Sequence, residues 1–106
     1  ILWLRRGTGP QVAVGQFAAL HFVMYGNDGT ALESSRIMPH PLVVEVRPLR
    51  AGEISEAPVA LREVQARNLL CMPEAQQGAS CAFSAERERA GNAGGRETIY
   101  VLLEIV

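Results

Sequence analysis

GQFAALHFVMYGNDGTALESSR, residues 15–36, carries the clearest structural pattern in the chain. Residues 17–25 are rich in β-branched and aromatic side chains, Asn27-Asp28-Gly29 is a turn signal, and residues 30–34 resume an extended run. The reading is a β-hairpin. In its first strand, Leu20, Phe22 and Met24 point to one face and Ala19, His21 and Val23 to the other. His21 is then expected to be a hydrogen-bonded structural histidine, on the face opposite Phe22.

Working outward, Ile1-Leu2-Trp3-Leu4 reads as a strand that stops at Arg5-Arg6, and Gly7-Thr8-Gly9-Pro10 as a turn. The Gly-Thr-Gly run lacks the further Gly, Lys and helix of a phosphate loop. After a proline-punctuated loop at residues 37–41, Leu42-Val43-Val44-Glu45-Val46 predicts a further strand. Ser55 reads as the cap of a short helix over residues 55–64, with Pro58 tolerated in its first turn. Residues 68–73 read as another extended run. Residues 78–96, rich in Ala, Gly and Ser with alternating Glu and Arg, read as a long loop. Residues 98–106 close the chain as a strand in which Ile99, Val101, Leu103 and Ile105 alternate with Tyr100, Leu102 and Glu104.

At 106 residues, with 48% hydrophobic and 20% charged residues, the chain reads as one domain, residues 1–106. A domain of this size buries roughly 60–70% of the surface that its unfolded form exposes. The net charge of -1 argues against a nucleic-acid surface, which would carry a basic excess. All ten basic residues are Arg, which reads as codon bias rather than mechanism. No apolar run is long enough to cross a membrane as a helix. Cys71 and Cys81 lack zinc spacing, so no metal site is expected; idle thiols are favoured over a disulfide.

The hairpin resembles the N-terminal core of the FKBP-type peptidyl-prolyl isomerases. Leu20-His21-Phe22 stands for V-H-Y, Asp28-Gly29-Thr30 for D-G-T, and Leu32-Glu33-Ser34-Ser35 for F-D-S-S. The closing strand resembles the family's T-L-V-F-D-V-E-L-L. The resemblance implies an α+β fold, an antiparallel sheet of five or six strands curled over one short helix. Isomerases of this family hold a proline in an apolar aromatic pocket that favours the twisted amide. The rotation barrier in question is about 18–20 kcal/mol, and no nucleophile or acid-base pair takes part. By the resemblance the pocket Tyr falls at Phe22, two Phe positions at Leu32 and Leu42, the polar group at Glu33, and the Trp floor near Ile54. The flap Tyr, in the family's A-Y-G, falls at Gln77, and the last-strand Phe at Val101. Phe22 alone keeps an aromatic ring.

The expectation is therefore a divergent FKBP-like domain without isomerase activity, acting as a protein-binding or structural subunit of a larger complex; the alternative is a slow or selective prolyl isomerase or chaperone. Partners are expected to be other protein subunits, with no nucleic acid, membrane insertion, metal or cofactor. Phe83 and Arg87 in the long loop, and Trp3 in the first strand, are the candidate partner-binding residues; the alternatives are a mobile insertion with Phe83 folded back onto the sheet and a core or interface role for Trp3. The chain starts without Met, so upstream residues were removed by processing or are not included. Together with the family's use in organelles, this inclines the expected location towards a plastid or mitochondrion.

Overall fold

The computed structural model describes residues 1–53, 58–88 and 94–106. In chain order the elements are β1 (Leu2–Arg5), β2 (Phe17–Tyr25), β3 (Ala31–Ser34), β4 (Leu42–Glu45), α1 (Val59–Ala66), β5 (Ser80–Glu88) and β6 (Arg96–Ile105). Short 3-10 turns lie at Ser35–Ile37 and Leu69–Cys71. The six strands form one antiparallel sheet in the order β1-β5-β6-β2-β3, and β4 lies on the same edge as β3, against the other end of β2. The architecture is α+β, a six-stranded antiparallel sheet with one short helix, as the hairpin and closing-strand patterns predict.

Strand β2 sits inside the sheet because its alternation is strict: Ala18, Leu20, Phe22 and Met24 are buried, while the residues between them are half-buried. Cross-strand partners share a face, so the register extends that buried row sideways. Phe22 lies opposite Leu103 and Met24 opposite Val101, and these continue to Cys81 and Phe83 on β5. The helix covers this inner face with Ala60 and Val64, joined by Leu69 and Leu70.

The β2–β3 turn is locked locally. Asp28 Oδ1 accepts the Thr30 N–H at 3.0 Å, and Gly29 supplies the positive φ of 84°. The Thr30 N–H lowers the Asp28 carboxyl below its ordinary range. The two serines that follow have separate tasks. Ser34 Oγ accepts the Arg36 N–H and caps the 3-10 turn, whereas the buried Ser35 Oγ accepts the Phe22 N–H at 2.8 Å and pins the turn onto β2.

The expected elements need correction in three places. Helix α1 starts at Val59 rather than at residue 55. Pro58 is the N-cap, with an extended ψ of 150°, so the helix begins immediately after the ring; Ser55 and Ile54 lie outside the described residues. Residues 68–73 are not a strand but contain the Leu69–Cys71 3-10 turn, entered through Asn68 at φ 50°. Leu69 and Leu70 are consecutive and both buried, which a turn allows and a strand with one covered face does not. Most consequentially, residues 80–88 of the expected loop form β5, whose nine residues pair without interruption with β6. Ala and Ser have low β-propensity, but Cys81, Phe83 and Ala85 still alternate inward.

The Gly-Thr-Gly segment also has a tertiary reason. It passes against residues 75–78, where the Gly9 N–H donates to the Gln77 carbonyl and the Val12 N–H to that of Ala75. A Cβ on Gly7 would stand 2.7 Å from the carbonyl oxygens of both Gln76 and Gln77.

Candidate functional site

The inner face gathers four of the seven expected pocket positions. Phe22 and Val101 lie on its central rows, Leu42 opposite Leu20, and Glu33 opposite Met24. Phe22 is 4% exposed and Val101 0%: these side chains are packed core rather than the lining of an open pocket. Leu32, one residue out of phase with Glu33, is 41% exposed and lies beside Gly26. Ile54 is outside the described residues. Gln77 sits in the crossing segment, its N–H donating to the Pro10 carbonyl.

The candidate docking residues are placed differently from the loop reading. Phe83 faces inward opposite Val101, 5% exposed, with the Arg67 guanidinium 5.0 Å from its ring centroid. Arg87 is held across the β5–β6 ladder by Glu97 at 2.7 Å. Trp3 lies opposite Cys81 and packs half-buried against the core. Residues 89–93 of the expected loop lie outside the described residues.

Between α1 and the far end of β5 runs a cleft of about 510 Å³. Its apolar part comes from Leu49, Val59 and Ala66, and its charged part from Glu53, Arg62, Glu63, Glu86, Arg87 and Glu88. Among the described residues no aromatic ring lines it. Arg47 grips Glu53 with both guanidinium nitrogens, and the Arg50 N–H donates to the same carboxylate. The Arg47 hydrogen bonds, with that N–H second, hold the Glu53 carboxyl down at about 2. Glu63 pairs with Arg67 one helical turn on. Gln65 turns its amide oxygen inward, buried and without a hydrogen-bond partner among the described residues. The cleft is thus lined mostly by charged side chains, of which Glu53, Glu63 and Arg87 are held in ion pairs.

The outer face is apolar in its middle. A trough of about 600 Å³ runs over β5 and β6 between Leu2 on one side and Tyr25 on the other, floored by Ala82, Tyr100 and Leu102. His21 lies at its end, with Nδ1 3.1 Å from Ser35 Oγ, the structural role expected of it. Glu104 takes Arg5 at 3.3 Å and Arg36 at 2.5 Å. Sequence reasoning passed over this face, although Tyr100 and Leu102 already stood on the outward phase of the closing strand.

Both cysteines are free thiols. Burial pushes the Cys81 thiol up to about 11, which keeps it neutral and unreactive. Among the described residues, no three His, Cys, Asp or Glu side chains converge as metal ligands. Comparison with protein-family models finds no match, and no curated protein is significantly similar to the chain.

Proposed function

We propose that the chain is a divergent FKBP-type domain that does not isomerise Xaa-Pro bonds and serves as a protein-binding or structural subunit of a larger assembly. The family part rests on the residues of the β2–β3 hairpin, on the turn at Asp28-Gly29-Thr30, and on the pairing of the closing strand with β2. The functional part rests on one observation. The helix–sheet cleft is lined mostly by charged side chains, without an aromatic ring among the described residues, while Phe22 and Val101 are spent on packing.

Each ring-to-proline contact contributes roughly 0.5–1.5 kcal/mol beyond burial. An acceleration assembled from several such contacts falls by about tenfold for every 1.4 kcal/mol withdrawn. Leu32, Leu42 and Val101 withdraw three rings, and the paired Glu53 and Glu63 leave the helix–sheet cleft charged rather than apolar.

The test is a prolyl isomerisation assay on an Xaa-Pro peptide series, together with the native size of the protein in its source. Rates at the buffer value, and migration within a complex well above twice the mass of the chain, are expected. Rates clearly above buffer at micromolar protein would restore the slow-isomerase reading. Migration of the native protein at one or two chain masses would remove the subunit role.

A further inference from the structure

We infer that the outer face of the sheet is a self-association surface, pairing two copies of this chain face to face about a twofold axis that runs across the strands. The solvated side of an antiparallel sheet ordinarily alternates to polar residues. Here two successive outward rows are largely apolar. One row is Leu2, Ala82, Leu102 and Val23, and the next is Ser84, Tyr100 and Tyr25. Leu2 is 62% exposed, Tyr100 46% and Leu102 40%.

The flanking rows carry opposite charge. Beyond the leucine row stand Arg5, Ser80, Glu104 and His21, and Arg36 reaches the same carboxylate, so two guanidinium groups share one Glu. That end has one positive charge in excess. Beyond the tyrosine row stand Glu86 and Thr98, with Glu86 exposed.

This order of rows is self-complementary. A twofold axis in the interface, perpendicular to the strands and midway between the two apolar rows, lays β5, β6 and the Val23 and Tyr25 positions of β2 over their copies with the rows reversed, and leaves β1 at the rim. Leu102 then packs over Tyr100 of the second copy, and Glu86 meets Ser80 with Arg5 beside it. An axis along the strands would instead set each Arg pair against its own copy, where like charges repel. The charge order thus selects a second copy, and selects its orientation.

The size fits a reversible dimer. Ten outward positions, four on β5, four on β6 and two on β2, meet a counterpart in the second copy; at about 4.8 by 6.8 Å each they cover roughly 330 Å² per copy. Both copies together bury about 650 Å², the size of a weak, transient contact. The two apolar rows lie on the opposite side of the sheet from the helix–sheet cleft, which Glu86 borders at the strand end, and self-association is read independently of isomerase activity.

Sedimentation velocity on the purified protein from about 5 to 500 µM tests it. A monomer–dimer equilibrium is expected in the wild type. Leu102→Glu and, separately, Tyr100→Lys should be monomeric throughout with unchanged circular dichroism. Arg5→Glu and Glu86→Arg should each weaken the dimer by about tenfold, and the double variant should return to within about threefold of wild type. A wild type that is monomeric at 500 µM overturns the inference, as does a dimer that survives both face variants. Single charge variants without rescue by the double variant overturn the crossed-axis arrangement.

Discussion

Phe83→Ala should cost the domain about 4 kcal/mol. The ring is 5% exposed on the inner row between Cys81 and Ala85, faces Val101 across the ladder, and carries the Arg67 guanidinium on its open side. Truncation removes roughly 100–120 Å² of buried apolar surface, about 2.5–3 kcal/mol at about 25 cal/mol per Å². The cavity left by incomplete relaxation adds about 1–2 kcal/mol. Domains of this size have a total stability on the order of 5–15 kcal/mol, so the loss is a large fraction. At about 4–8 °C per kcal/mol the melting temperature should fall by roughly 15–30 °C. Urea unfolding followed by far-ultraviolet circular dichroism measures the loss directly, and Phe83→Leu is the control. Leucine refills most of the volume and gives up only part of the packing and the Arg67 contact, so about 1–2 kcal/mol is expected. A loss below about 1 kcal/mol for Phe83→Ala, with the urea dependence unchanged, would mean that the ring stands outside the core and that residues 80–88 do not form the strand described.

Ser35→Ala should cost about 1–3 kcal/mol, because the Phe22 N–H inside the sheet loses the oxygen 2.8 Å away and no water replaces it; an unchanged denaturation midpoint would refute this. Glu53→Gln should lower the melting temperature at pH 7 by removing the carboxylate held by Arg47. Since the folded-state value lies near 2, below the ordinary 4.5, the contribution is present above pH 4.5 and lost as the pH falls. The gap between variant and wild type should therefore narrow below pH 4.5 and close near pH 2, and a gap constant over that window would sink the assignment. Iodoacetamide at pH 8 should modify the half-buried Cys71 well before Cys81, whose thiol is buried and raised to about 11; equal rates by mass spectrometry would contradict the packing of β5.

The hairpin was legible in the sequence because its determinants are local. A period-two apolar pattern, a left-handed Gly29 and the Asp28 side chain act within a few residues of one another, and so does the Ser34 cap of the turn that follows. The closing strand was legible for the same reason, its inward row at Ile99, Val101, Leu103 and Ile105 being uninterrupted. Strand β5 was not. Ala, Ser and Glu have no intrinsic bias towards extended structure, and the segment becomes a strand only because β6 and β1 supply ladders on its two sides. With β5 unseen, Phe83 stood open between a docking anchor and a ring folded back onto the sheet, and the β5–β6 ladder buries it. What the inner face holds is likewise a tertiary matter. Sequence names Phe22 and Val101 as apolar, but only the arrival of α1 and of Leu69 and Leu70 closes over them. The outer face was present in the alternation of β6 all along, yet its order of charges, Arg5 and Arg36 at one end and Glu86 at the other, arises only when residues some fifty to one hundred positions apart in the chain are brought together.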